Sequence, residues 1–185
     1  MVCIHLHADH VGWNTQNLTG EWVPTFPNAT YLFPKADFDY WNPEGGNQPR
    51  GGLMNADVFA DSVLPVVRAG QAEFFTGQHV IDVNLMIAPA PGHSPGAAVV
   101  ELDSRGERAL FAGDLLHTPM QILHQEQGAC FDEDRAGAAE TRERILRQAA
   151  DSRAAFMPAH FGVEWAARVV QRGNSYAIDS RMAFE

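Results

Sequence analysis

The sequence predicts an α/β domain, and three observations lead there. Short apolar segments of strand character alternate with helical stretches along the 185 residues, the arrangement of a layered α/β fold. Three of the apolar runs end in a turn that carries a histidine or an aspartate. One stretch, Asp134 to Ala150, is rich in alanine and arginine, has no proline and no glycine after Gly137, and reads as a surface helix.

The elements follow in order. Val2-Cys3-Ile4 is apolar and reads as the end of a buried strand. His10 to Asn14 opens a short helix, and Thr15 to Pro27, polar and punctuated by Gly and Pro, is a long loop carrying Trp22 and Phe26. Ala29 to Phe33 is a strand, Lys35 to Trp41 a short helix, and Asn42 to Gly52, with its Gly-Gly pairs and prolines, a loop. Asn55 to Ala69 places Val58, Phe59, Ser62, Val63, Val66 and Val67 near helical period despite Pro65. Strands are expected around Glu73 to Phe75, Val80 to Ala88, Ala97 to Leu102 and Arg108 to Ala112, with Ser104 to Glu107 as a hairpin turn. Ala155 to Met157 is a short strand, Trp165 to Val170 a final helix, and Ser175 to Ile178 a last strand. The length suits one domain, 1–185, with a real core.

The densest chemistry lies in the run HLHADH, where His5, His7, Asp9 and His10 fall within six residues. In an extended segment His5 and His7 point to one side, because strand side chains repeat every two residues. A turn after His7 brings Asp9 and His10 to a second position. Two imidazoles for one cation, and a carboxylate with an imidazole for a neighbour, suit borderline metals such as zinc. The later turns supply further ligands: His93 in Pro91-Gly92-His93-Ser94-Pro95-Gly96, Asp114 after Leu110-Phe111-Ala112-Gly113, and His160 in Pro158-Ala159-His160-Phe161-Gly162.

On these residues the chain resembles the metallo-β-lactamase-fold hydrolase superfamily over nearly its whole length: HLHADH, PGHSPG, GD and PAHFG stand in the family's order. The resemblance implies an αββα sandwich. It makes His5, His7 and His93 the ligands of a first metal, Asp9, His10 and His160 those of a second, and Asp114 the bridging carboxylate. An aspartate at 114, where one β-lactam-cleaving branch has cysteine, points toward the lactonase, thioesterase and organophosphate-hydrolase branches. His7, where the flavodiiron branch has glutamate, points away from that branch. Because the opening motif normally follows several strands, its place at residue 5 implies a sandwich truncated at the N-terminus.

The chemistry implied is metal-assisted hydrolysis. A water bridging two cations loses its proton near neutral pH, attacks a carbonyl or phosphoryl centre, and leaves one ion to polarise the electrophile and the other to stabilise the leaving oxygen. Asp9 and Asp114 are the catalytic candidates that hold or shuttle the proton. Ser94 lacks a G-x-S-x-G elbow and is a turn hydroxyl. Two divalent ions are the expected cofactors, zinc first, with manganese, iron or cobalt accepted by the same donors. Candidate substrate-binding residues are Trp13, directly after the ligand turn, His117, three residues past Asp114, and Phe161, beside His160. Trp13 serves equally well as core between helix and sheet, and His117 as support behind a ligand. Trp22, Phe26 and Met120 are weaker pocket candidates. His79 and His124 read as edge or solvent residues.

Composition narrows the partners. A net charge of −10 disfavours nucleic acid, and no apolar run nears the roughly 20 residues of a spanning helix. The two cysteines, Cys3 and Cys130, suggest no disulfide framework. The expected partner is a small molecule, the expected compartment the cytoplasm, and the expected assembly a homodimer. Substrates rank as a lactone such as an acyl-homoserine lactone, then an organophosphate triester or a thioester. A reading of another class is a truncated module that binds metal without turnover.

Overall fold

The computed structural model describes residues 1–45, 47, 57–162 and 166–182. It comprises two compact units, Met1–Thr76 and Gly77–Glu185.

In the first unit, the opening residues make only one bridge: Val2 pairs in parallel with Leu32, through Cys3 N–H to the Leu32 carbonyl (3.0 Å) and Leu32 N–H to the Met1 carbonyl (2.9 Å). The buried strand expected at Val2-Cys3-Ile4 is therefore a single bridge in which Cys3 is buried and Val2 exposed. The chain then enters α1 (Ala8–Val11) and one 3-10 turn, Gly12–Asn14. The long loop expected from Thr15 is instead a hairpin of β1 (Thr15–Leu18) and β2 (Glu21–Pro24). Thr19 and Gly20 turn it with φ of 56° and 94°, the left-handed pair that matches strand twist in a two-residue hairpin. β1 is polar and β2 is short and ends in a proline, so neither is announced by the sequence.

β3 (Tyr31–Pro34) pairs in parallel with β4 (Ala72–Phe75), and α2 (Lys35–Trp41) follows β3. The described part of the helix expected at Asn55 to Ala69 opens as a π-helical stretch, Phe59–Val63, and continues as α3 (Leu64–Arg68). Pro65 explains the break, since it has no N–H to give the carbonyl of Asp61. That carbonyl accepts the Thr15 hydroxyl at 2.8 Å, and the next, of Ser62, accepts the Asn14 amide at 3.4 Å. Cys3, Leu6, Val11, Tyr31, Phe33, Phe59, Val63 and Val66 form the core of this unit.

The second unit is built on a seven-stranded sheet. Its strands are β5 (His79–Val80), β6 (Leu85–Pro89), β7 (Ala98–Ser104), β8 (Glu107–Gly113), β9 (Ala155–Pro158), β10 (Ala166–Arg172) and β11 (Ser175–Met182), ordered β11-β10-β9-β8-β7-β6-β5. The run expected as one strand from Val80 is split because Asp82 turns the chain, its side chain accepting from the N–H groups of Asn84 and Leu85. The final helix expected at Trp165 to Val170 is β10 over its described residues. Val169 and Val170, both β-branched, pair with Ile178 and Ala177 of β11.

All neighbours in this sheet are antiparallel except β8 and β9. A parallel pair needs a crossover, and here it contains α4 (Met120–Leu123) and α5 (Arg135–Ser152). α5 is capped by the Asp134 side chain, which accepts from Gly137 N–H at 3.0 Å. Its buried positions, Ala138, Thr141, Arg142, Ile145, Leu146 and Ala149, keep the three-four spacing of one helix face. Ile145, Leu146 and Ala149 pack with Val99, Leu110, Ala112, Phe156 and Val169 of the sheet. Among the described residues no helix is long and apolar enough to cross a membrane.

Candidate metal centre

The first unit holds the HLHADH residues together locally. The rings of His5 and His7 lie 4.8 Å apart edge to face, and those of His5 and His10 lie 4.1 Å apart. Asp9, largely exposed, sits 3.4 Å from His10 Nε2. His7 caps the start of α1, its carbonyl accepting from His10 and Val11 N–H at 3.1 and 3.2 Å. Two residues of α2, four apart and hence on one face, brace the run from behind. Asp37, fully buried, accepts from Leu6 N–H at 3.0 Å, and Trp41 stands edge-on to His7 at 5.0 Å.

Cys3 is also buried here, and burial, partly offset by its bond with Asn14, pushes its thiol up to about 11. The core alternative for Trp13 does not hold, because its side chain is 70% exposed.

In the second unit the candidate ligands are brought together by topology. β6, β8 and β9 all run the same way, because β6 and β8 are each antiparallel to β7 and β9 is parallel to β8. Their carboxyl ends therefore share one edge of the sheet, and each leads straight into a candidate ligand. His93 follows β6, Asp114 follows Gly113 of β8, and His160 follows Pro158 of β9, with Gly113 and Pro158 in register. Ala159 N–H to the Gly113 carbonyl, 3.0 Å, ties the last two turns together.

On the buried carboxylate of Asp114 three imidazoles converge. His160 Nε2 is 3.1 Å from it, His117 Nε2 3.3 Å and His93 Nε2 3.4 Å. The rings of His117 and His160 stack at 5.2 Å, only 4° from parallel. Ligand atoms about 2.0–2.2 Å from a tetrahedral ion lie roughly 3.3–3.6 Å from one another. His117 and His93 stand from Asp114 at that spacing and His160 slightly inside it, and imidazole with carboxylate is a donor chemistry that a divalent cation accepts.

His93 is the most constrained member. Pro91-Gly92 reaches it with Gly92 at φ 132°, where an added Cβ would lie 2.3 Å from the Ala138 nitrogen of α5; only glycine fits. The carbonyls of Gly92 and His93 accept from Asp134 and Glu133 N–H at 2.9 and 3.2 Å. Behind the ring, Nδ1 meets Asp132 Oδ1 at 3.1 Å. Burial alone would lower the imidazole, but Asp114 and Asp132 more than reverse this and hold it at about 9 in the metal-free protein. Burial would likewise raise Asp132, but His93, Ala129 N–H and Arg142 outweigh it and keep the carboxyl below its ordinary range.

Asp132, Arg142 and Asp37 are absent from the residues singled out by sequence. In Phe131-Asp132-Glu133-Asp134 nothing marks the one carboxylate that is buried, and α5, read as a surface helix, gives no sign that Arg142 points inward. His117 lies as close to Asp114 as the assigned ligands do. It also lines a groove of about 450 Å³ with Thr118, Met120, Gln121 and His124. Phe161 packs, partly buried, against the core of the second unit. His124 is exposed and paired with Glu126 at 3.5 Å.

Fold and donor sets together define a mixed α/β protein with candidate metal-binding residues. The chain belongs to the metallo-β-lactamase superfamily, whose family model matches residues 5–160. Among solved structures it is similar to the hydrolase AbOPH of the β-lactamase superfamily (22% identity, TM-score 0.86, all of this chain and 64% of that one). It is also similar to AidC, a dizinc quorum-quenching lactonase (20%, TM-score 0.82, all of this chain and 64% of that one). An N-acyl homoserine lactone hydrolase matches less well (16%, TM-score 0.63, 87% of this chain and 55% of that one). The chain thus spans under two thirds of the length of these relatives. No curated protein sequence matches it.

Proposed function

We propose that the two units work as one hydrolase domain, in which His5, His7, Asp9 and His10 act with His93, Asp114 and His160 on two divalent ions, zinc first. The observation that carries this is the convergence of three imidazole Nε2 atoms on the buried Asp114 carboxylate within 3.1–3.4 Å. When bound, the ions supply Lewis acidity and a nucleophile at neutral pH.

The chain's own residues do the rest. Asp114, buried and flanked by imidazoles, would be shared by the two ions and would offset part of their charge. Asp9, largely exposed and beside His10, would hold or shuttle a proton during hydrolysis. His117, whose Nε2 faces Asp114 and whose edge lines the groove, is placed to orient the scissile carbonyl or the leaving oxygen. Its Nδ1 is buried with no hydrogen-bond partner among the described residues. Trp13 and Phe161 are the proposed apolar contacts of the substrate.

The substrate is a small ester-like molecule, with an N-acyl homoserine lactone ahead of a phosphotriester or a thioester. Two of the similar structures support this order, one being a dizinc quorum-quenching lactonase and another an N-acyl homoserine lactone hydrolase. The test is metal content with and without chelator, alongside hydrolysis of an N-acyl homoserine lactone, a chromogenic phosphotriester and a thioester. Lactone cleavage lost on chelation and restored by zinc is the expected result. Protein that holds metal and cleaves none of the three sinks the substrate; protein that holds no metal sinks the centre.

A further inference from the structure

We infer that Asp132, held by Arg142, is the positioning carboxylate that fixes the tautomer and aim of His93. This rests on the metal centre proposed above but uses residues outside it. Both oxygens of Asp132 are committed: Oδ1 to His93 Nδ1 at 3.1 Å, and Oδ2 to Arg142 Nη1 at 3.1 Å and Ala129 N–H at 2.9 Å. Neither Asp132 nor Arg142 reaches solvent to any useful extent, at 0% and 1% exposure. In the neutral ring, the form a metal would bind, Nδ1–H donated to Asp132 leaves the lone pair of His93 on Nε2, the atom that faces Asp114 at 3.4 Å. Carboxylate-to-histidine bonds of this kind set which nitrogen binds a metal and how the ring is turned.

Stability does not explain the pair. A buried ion pair contributes little net stabilisation even when every donor is satisfied. Here one donor is not. Arg142 Nε reaches the Gln125 carbonyl at 2.8 Å, but Nη2 is buried without a partner among the described residues. What the pair does achieve is direction. Asp132 cannot rotate while Arg142 and Ala129 hold Oδ2, and the residues after it grip the backbone of the histidine turn, through Glu133 N–H to the His93 carbonyl and Asp134 N–H to that of Gly92. Ring and main chain of His93 are thus held from one segment.

The geometry makes Asp132→Asn the informative variant. It is nearly isosteric, but the Oδ2 position faces two donors, one of them charged, so the amide oxygen must turn there. The NH2 group is then presented to His93 Nδ1, which must accept, and the proton moves to Nε2, the atom needed by the metal. Asp132→Ala instead leaves room for a water to accept from Nδ1. D132N is therefore expected to weaken zinc binding by about 10–100-fold and D132A by less.

The measurements are zinc affinity by competition with a chromogenic chelator, the His93 Nδ1–H signal in 15N-resolved NMR of zinc-loaded and metal-free protein, and thermal melting followed by circular dichroism. Should the uncompensated Arg142 unfold D132N, the double variant D132N/R142M removes both charges and is expected to fold and keep the loss. A folded variant that binds zinc within about twofold of the unaltered protein and retains the Nδ1–H signal overturns the inference. If the unaltered protein takes up no zinc, the metal centre fails, and the metal-free NMR signal still decides: its loss in D132N supports the positioning role, its persistence overturns it.

Discussion

The two candidate ligand sets are assembled by different routes. In the first unit His5, His7, Asp9 and His10 are neighbours in sequence, gathered by one bend and one short helix and braced by Asp37 and Trp41 from α2. In the second, His93, Asp114 and His160 are spread over 68 positions (93 to 160), and only the shared direction of β6, β8 and β9 brings them to one edge. A local cluster depends on side chains near it, whereas a topological one depends on turns that must fit against the rest of their unit.

The largest expected effect follows from the tightest of those turns. Gly92→Ala forces a Cβ to within 2.3 Å of α5 backbone at a left-handed φ, and we expect a loss above about 4 kcal/mol in urea unfolding, or failure to fold. A stability change under about 1 kcal/mol would break the contrast at its strongest point.

Removing the carboxylates comes next. Asp114→Ala takes away the group on which three imidazoles converge, and zinc affinity is expected to fall by more than about 100-fold, beyond the range for outer partners. Asp9→Ala, at an exposed position, is expected to cost less. Chelator competition on both proteins checks the order, and equal losses would contradict it.

Asp37→Ala probes the brace of the local set. It leaves Leu6 N–H buried without its acceptor, which costs about 1–3 kcal/mol, with the ligands of the second unit unaffected. Chemical unfolding gives the first number, and histidine NMR signals of residues 93, 117 and 160 give the second.

A pH titration separates the sets more finely. His93 is raised from 6.5 to about 9 in the metal-free protein, so its stabilising contribution is fully present below pH 6.5 and lost as pH rises through about 9. Metal-free protein should lose stability across that window, while zinc-loaded protein, whose His93 has already released its proton, should not. The smallest effect belongs to Gly12→Ala, where φ is helical at −56° and a Cβ meets nothing within 4 Å. It should be neutral or stabilising by up to about 1 kcal/mol, opposite to Gly92.

The same contrast explains what could be read from sequence. Lys35–Trp41 and the long helix at 135–152 follow from local pattern, as do the turns that carry His93, Asp114 and His160. The hairpin at Thr15–Pro24 was hidden because β1 is polar and β2 is short and ends in a proline, and β10 because Ala-Ala-Arg-Val-Val suits a helix until its pairing with β11 is known. The candidate ligands stood out in the sequence since their residue types are chemically scarce. Asp132, Asp37 and Arg142 were not: a carboxylate or guanidinium looks the same in sequence whether it faces water or a histidine, and only the packing of α5 and α2 turns these inward.

The central claim, that the two sets serve one pair of ions, is tested most directly by metal stoichiometry. Protein stripped with chelator, reloaded with zinc and freed of excess should carry two zinc ions per chain by elemental analysis. One ion or none would contradict it.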